Sequence, residues 1–304
     1  MLRGWDPASA GERQLRLERR MDLASAAVRW ALGLQIAGLA AFVFVADELH
    51  PLLTGAMCAT GVLNADSLGW PALGVKLAAA AMAGVWLALD RIDRAVETQP
   101  MTRAKAALLL GIVPLVALDL GLTLGFFGRL DPQVITSCCG ALFSADGSGP
   151  AADLASVEPR TGLAVLFGAG ALHGAAGLWA LRSRGERVWG LLAVTAAGLG
   201  LAGAAGIVSA VGPYVYELPS HRCPFDLLQS GYGFVGYPLY LSLGGAVYCG
   251  VLPALLGFAR NRGGAAAVVG RYRARWARWS VGWALAFVAL CAWLVARSGL
   301  RLIG

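Results

Sequence analysis

The sequence predicts an all-α protein, a polytopic transmembrane helical bundle of about seven spans. Two observations support this prediction. Hydrophobic residues occupy 58% of the 304 positions and charged residues only 14%, and a soluble domain of this length could not bury so much apolar surface. Aliphatic runs of about 20 residues also recur along the chain, each long enough to cross the roughly 30 Å hydrocarbon core of a bilayer as a helix.

Seven segments meet this criterion, so the chain is not held by a single anchor helix. The predicted spans are about 25–46, 71–90, 105–127, 161–182, 188–212, 233–258 and 279–298. Residues 1–24 form a basic segment before the first span, and no small-residue cleavage site follows that span, so we expect it to stay in the mature protein. Residues 25–304 are predicted to form one transmembrane domain.

The basic residues are concentrated in alternate connections between the spans. They are Arg13, Arg16, Arg19 and Arg20, then Arg91, Arg94, Arg103 and Lys105, then Arg182, Arg184 and Arg187, and finally the arginines from Arg260 to Arg278. The positive-inside rule predicts that the N-terminus and these connections are cytoplasmic. The more acidic loops near 47–70, 128–160 and 213–232, and the C-terminus, are then extracytoplasmic, in a plasma (inner) membrane.

These connections also explain the net charge of +7. No nucleic-acid-binding motif surrounds the basic residues, so we expect the lipid bilayer, and not nucleic acid, as the partner. The last basic connection, residues 271–279, interleaves arginine with Tyr272, Trp276 and Trp279. This pattern is typical of a helix that meets anionic headgroups, and a partner-docking surface is the alternative. Other membrane or extracytoplasmic proteins are further candidate partners of the chain.

Two outer loops contain similar strings, which suggests repeated helical hairpins. The first is Cys58-Ala-Thr-Gly-Val-Leu-Asn-Ala-Asp66 and the second is Cys138-Cys-Gly-Ala-Leu-Phe-Ser-Ala-Asp146. Internal repeats are common in membrane proteins. The first six spans also pair as three hairpins, with the seventh added.

Four of the six cysteines fall in the predicted outer loops: Cys58, Cys138, Cys139 and Cys223. In an oxidising compartment the simplest interpretation is that disulfides brace these loops. Neighbouring cysteines rarely bond each other, so Cys138 and Cys139 would each bond Cys58 or Cys223. Cys249 and Cys291 lie within spans and are expected to pack in the core.

A soft-metal site is the second interpretation of the same loops. Thiolates and thioethers select copper(I) and similar ions, and the outer loops supply sulfur and imidazole from Met57, Cys58, Cys138, Cys139, His221 and Cys223. Thiol redox exchange with a partner is the third interpretation. The chain has no C-x-x-C pair, which weakens it.

Three ionisable residues lie inside predicted spans: Lys76, Asp119 and His173. Such groups are costly in a bilayer and usually face a partner or a cavity. At about 1.5 Å per residue, Lys76 and Asp119 both lie in the outer half of adjacent antiparallel spans, which predicts an ion pair. The pair is either structural or, together with His173, lines a proton or substrate path.

The sequence therefore predicts a multi-pass membrane protein whose extracytoplasmic Cys/His cluster handles thiols or a copper-like soft metal. The alternative is a permease, or a membrane subunit of a larger complex, whose loop cysteines form structural disulfides. No phosphate-binding glycine loop, H-E-x-x-H or G-x-S-x-G motif is present, so no catalytic residue is assigned.

Overall fold

A computed structural model describes residues 11–136, 156–183 and 185–300. Within these ranges the chain folds into helices and turns, with no strand. Seven of the helices are long and apolar enough to cross a membrane. The prediction of a multi-pass all-α protein with seven spans is confirmed at this level.

The helices are labelled α1 to α9 in chain order. Their bounds are α1 Glu12–Glu48, α2 Ala59–Asn64, α3 Gly69–Asp93, α4 Thr102–Arg129, α5 Pro159–Arg182, α6 Arg187–Gly206, α7 Gly212–Tyr216, α8 Gly236–Leu255 and α9 Ala266–Arg297. A π-helical segment, Ile207–Val211, joins α6 to α7, so that the fifth span runs unbroken from Arg187 to Tyr216.

The largest difference from the predicted bounds is in the last span. It was predicted over 279–298, whereas α9 begins thirteen residues earlier, at Ala266. The arginines and aromatic residues of this stretch are compatible with a helix. The preceding turn is formed by Gly263 and Gly264, whose positive φ angles of 50° and 74° suit glycine.

The spans pack in two groups. Helices α1, α3 and α4 form a three-helix layer, while α5, α6, α8 and α9 close a four-helix ring in which each helix contacts two others. Helix α3 also contacts α8 and α9 and so joins the two groups. The ring encloses a buried apolar core that includes Leu166, Leu199 and Phe287.

Close helix approach in the ring depends on glycine. A Cβ atom at Gly250 of α8 would lie 2.5 Å from the Cβ of Ala196 on α6 and 2.8 Å from Ser280 Oγ on α9. Such distances are shorter than van der Waals contact. Lipid offers no hydrophobic drive between helices, and small residues of this kind let the backbones pack closely.

The three loops predicted to be extracytoplasmic meet at one end of the bundle. Gln229 Nε2 donates to the carbonyl of Met57 (2.8 Å), which joins the third loop to the first. Thr136 Oγ1 donates to the carbonyl of Gly61 (2.7 Å), which joins the second loop to the first. That this end faces away from the cytoplasm remains a prediction from the arginine distribution.

The basic connections contact one another elsewhere in the bundle. Thr98 Oγ1 donates to the carbonyl of Gly263 (3.4 Å), and Arg273 pairs with Glu186 (2.8 Å). The string 138–146 lies outside the described residues, so the repeated hairpin stays a prediction.

Candidate functional site

Two loop cysteines that are distant in the chain meet at the loop end of the bundle. Cys58 immediately precedes α2 as its N-cap residue, and Cys223 lies in the turn between α7 and the short 3₁₀ helix Asp226–Leu228. Their Sγ atoms are 3.5 Å apart. Both residues are fully buried, with 0% of their surface exposed.

Asp226 completes a cluster of three potential metal ligands. One ligand atom from each of Cys58, Cys223 and Asp226 lies within 4.8 Å of the others, and all three residues are buried. Sequence reasoning did not single out Asp226. The available signal was its position three residues after Cys223, the spacing at which a C-x-x-C turn places its second ligand.

The two carboxylate oxygens of Asp226 have different surroundings. Oδ2 lies 2.5 Å from His221 Nε2. Oδ1 is buried and receives no N–H or O–H hydrogen bond from the residues that the structure describes. Asp226 therefore lies beside both cysteines with one carboxylate oxygen, Oδ1, that has no such donor.

Asp226 is ionised at neutral pH. Burial by itself raises the pKa of the Asp226 carboxyl, but hydrogen bonds from His221 and from the thiols of Cys58 and Cys223 outweigh burial and hold this pKa below its usual range. The surroundings of Asp226 therefore favour the carboxylate over the protonated acid.

The Cys223 segment is held by two tyrosines from the spans. The Tyr216 hydroxyl donates to the carbonyl of Cys223, and the Tyr240 hydroxyl donates to the carbonyl of Pro224. The backbone N–H of Phe225 also points to Cys223 Sγ, at 3.4 Å. These contacts give Tyr216 and Tyr240 a structural role in this aromatic-rich loop.

The Cys58 segment is held by Asp47, near the end of α1. Asp47 Oδ1 accepts a hydrogen bond from the backbone N–H of Ala59 (3.0 Å). On the other side, Thr60 Oγ1 lies 3.7 Å from Cys223 Sγ. The backbone segments that carry Cys58 and Cys223 are therefore each held by hydrogen bonds to neighbouring residues.

No protein-family model matches this chain, and no curated protein or solved structure matches it either. The function is therefore inferred from the chemistry of the residues at the site.

Of the other residues predicted as metal ligands, those that the structure describes, Met57 and His221, do not join this cluster directly. The side chain of Met57 is 65% exposed, unlike the buried sulfur atoms beside it. Cys138 and Cys139 lie outside the described residues. His221 reaches the cluster through Asp226.

The pair Cys58 and Cys223 is not joined by a disulfide in this structure. The 3.5 Å separation of the sulfur atoms exceeds the S–S bond length of about 2.05 Å. The two sulfur atoms are therefore adjacent but not bonded to each other. The predicted disulfides of Cys138 and Cys139 lie outside the described residues.

The ion pair predicted inside the membrane is present. Lys76 Nζ lies 2.9 Å from Asp119 Oδ2, and both residues are buried. Gln35 Nε2 donates to the same oxygen at 2.6 Å. This polar cluster connects all three helices of the layer formed by α1, α3 and α4.

His173 belongs to a different polar cluster. Its Nδ1 lies 3.2 Å from Thr195 Oγ1 and its Nε2 lies 2.9 Å from Ser280 Oγ. These partners lie on α6 and α9 of the four-helix ring. Lys76, Asp119 and His173 therefore do not form one continuous chain of hydrogen bonds within the described part of the protein.

Proposed function

We propose that this protein handles a soft metal ion, copper(I), on the extracytoplasmic face of a plasma membrane. The ion would be held by Cys58, Cys223 and Asp226. The observation that supports this proposal is the convergence of two thiol sulfurs and a carboxylate oxygen within 4.8 Å, in a buried site. Thiolates select copper(I) and other soft ions over the hard cations that prefer oxygen.

The spacing of the sulfur atoms suits a shared metal. At the zinc–thiolate distance of about 2.3 Å, two thiolates on one ion are separated by about 3.8 Å in tetrahedral geometry and about 4.0 Å in trigonal geometry. The observed Sγ–Sγ distance is 3.5 Å. Binding would therefore require the sulfur atoms to move by only a few tenths of an ångström.

His221 would orient the carboxylate in this site. It contacts Oδ2 of Asp226 and leaves Oδ1 available on the residue that meets the thiols. Residues that hydrogen-bond a metal ligand fix its direction and contribute to affinity. The ring of His221 is supported in turn by Tyr216, with ring centroids 4.5 Å apart.

Burial favours an ion over a protein partner. Thiol–disulfide exchange requires an attacking thiolate to reach one of the sulfur atoms. Cys58 and Cys223 both have 0% exposure, so a second protein would have to displace the loops before attacking. A metal ion needs only a narrow opening.

Copper(I) titration of the purified, reduced protein in detergent, under anaerobic conditions and against a colorimetric copper(I) chelator, tests the proposal. The wild type should bind one copper(I) per chain, and X-ray absorption should show sulfur neighbours. Cys58→Ser and Cys223→Ser should each lose stoichiometric binding. Cys249→Ser is the matched control, since Cys249 lies in α8, and it should bind like the wild type.

Two outcomes would contradict the proposal. One is a wild-type protein that binds no copper(I) although alkylation shows that both thiols are reduced. The other is zinc(II) bound at the same residues with higher affinity than copper(I), which would reject the assignment to copper.

A permease, or a membrane subunit of a larger complex, is the second candidate function. The cluster of the buried Lys76 and Asp119 with the half-buried Gln35 favours it, because ionisable groups inside a bilayer often serve a pathway or an assembly. Under this hypothesis, Asp119→Asn should impair transport or assembly far more than Cys58→Ser under reducing conditions. The opposite order would favour metal handling.

A further inference from the structure

Helix α9 carries a shallow, open groove on its surface at its basic end. The groove has a volume of about 470 Å³ and is lined by Arg275, Arg278 and Trp279. It lies in the part of α9 that the sequence places on the cytoplasmic side, among the basic connections, and is independent of the cysteine cluster.

The length of α9 places this groove near the membrane surface. The helix has 32 residues and extends about 48 Å at 1.5 Å per residue. Residues 280–297 alone extend about 27 Å, close to the roughly 30 Å hydrocarbon core. The two arginines directly before them would therefore lie at the level of the lipid headgroups, with Trp279 at the boundary.

The arginines on this face have no ion-pair partner in the part of the chain that the structure describes. Arg271, Arg275 and Arg278 follow one another at spacings of four and three residues, which puts them on one face of a helix. All three are exposed, and none forms an ion pair with any residue in the described ranges.

Arg273, on the same helix, differs from these arginines because its charge is neutralised inside the protein. It is 4% exposed, pairs with Glu186 at 2.8 Å and donates to the carbonyl of Pro253 at 2.8 Å. The protein therefore neutralises one arginine of this segment internally. The arginines of the outward face keep their positive charge.

Aromatic rings lie beside the arginine face. Tyr272 and Trp276 pack with ring centroids 5.5 Å apart, and Trp279 is 52% exposed in the groove itself. Indole rings favour the interface between headgroups and acyl chains. An exposed indole next to two guanidinium groups offers both an apolar and a cationic contact.

We propose that this groove binds the headgroup of an anionic phospholipid from the adjoining leaflet. Arg275 and Arg278 would donate to the phosphate oxygens, for which the planar guanidinium group provides paired donors. Trp279 would pack against the glycerol region. The ligand is a lipid and not free phosphate because the groove lies beside the bilayer and one of its walls is an indole.

Native mass spectrometry of the detergent-solubilised protein, titrated with phosphatidylglycerol or phosphatidylcholine, tests this inference. The wild type should retain one phosphatidylglycerol in preference to phosphatidylcholine. The variant Arg275→Gln/Arg278→Gln should lose affinity on the order of fivefold for each arginine removed. The matched control Arg91→Gln/Arg182→Gln removes the same charge from exposed arginines on other helices and should retain the lipid.

Three results would overturn the proposal. Equal loss in the control variant would mean that the lipid responds to the overall charge and not to this groove. Absence of any preference for phosphatidylglycerol in the wild type would remove the anionic ligand. Displacement of the lipid by millimolar inorganic phosphate would identify a free phosphate as the ligand.

Discussion

Cys58 and Cys223 are 165 residues apart in the chain, yet their Sγ atoms lie 3.5 Å from each other. The contact exists because the first and third of the loops predicted to be extracytoplasmic fold over the same end of the bundle. Gln229 strengthens this arrangement by donating to the carbonyl of Met57 at 2.8 Å. The site forms because the spans pack together. Substitutions can test each of its contacts individually.

The first prediction concerns the link between His221 and Asp226. His221→Leu removes the group that orients the carboxylate, and copper(I) affinity should fall about 10- to 100-fold. His221→Gln keeps a side-chain donor and should lose less. The measurement is the same chelator competition used for the wild type. Unchanged affinity in His221→Leu would show that Asp226 does not depend on this contact or does not bind the metal.

The second prediction concerns the buried ion pair. Asp119→Leu leaves Lys76 without its 2.9 Å partner, and a buried charge left in this way typically destabilises a protein by about 3–5 kcal/mol. The double variant Lys76→Met/Asp119→Leu removes both charges and should recover much of the loss. Thermal unfolding in detergent, followed by tryptophan fluorescence, measures both. Additive losses in the double variant would mean that the two side chains stabilise the fold independently.

The third prediction concerns two glycines of α8. Gly250→Ala would place a Cβ atom 2.5 Å from Ala196 Cβ and 3.2 Å from His173 Cε1, and overpacking of this kind costs about 1–3 kcal/mol. Gly244→Ala is the matched control, since a Cβ there meets nothing within 4 Å. The control should match or exceed the thermal stability of the wild type, because alanine favours helix over glycine. Equal stability of the two variants would contradict the packing described for the ring.

The fourth prediction concerns pH and Glu186. Hydrogen bonding by Arg273, together with Arg260, holds the pKa of Glu186 below its usual value. A lowered pKa in the folded state stabilises the protein above the unfolded-state pKa of about 4.3, and this contribution is lost as pH falls through the folded-state pKa. The side chain is 52% exposed, so solvent screening keeps the contribution under about 1 kcal/mol.

Glu186→Gln should therefore lower the unfolding temperature slightly at neutral pH, and its curve should converge with that of the wild type in acid. Thermal scans in detergent from neutral pH to below pH ~4 cover this range. Glu97→Gln, at another exposed glutamate of the basic connections, is the matched control and should unfold at the wild-type temperature at neutral pH. A constant difference between Glu186→Gln and the wild type at every pH would assign the effect to packing instead of charge.

Part of the polar interior was predictable from the sequence. Lys76 and Asp119 were expected to pair because an ionisable group in a bilayer needs a partner, and the rise per residue placed both at the same depth of neighbouring spans. The same rise per residue placed His173 nearer the middle of its span but could not identify the residues that it contacts. Depth is encoded in the chain, but the neighbours of a helix are not, and α5 packs in the ring with α6 and α9.

The sequence by itself determined the seven apolar helices and the division of their connections into basic and acidic sets. Both are sums over local residues: about 20 apolar positions match the thickness of a bilayer, and arginine remains on the side where its charge is tolerated. Only the tertiary structure decided that Cys58 meets Cys223 and that Asp226 joins them. Contact between loops so far apart depends on how the helices pack, which local hydropathy does not encode.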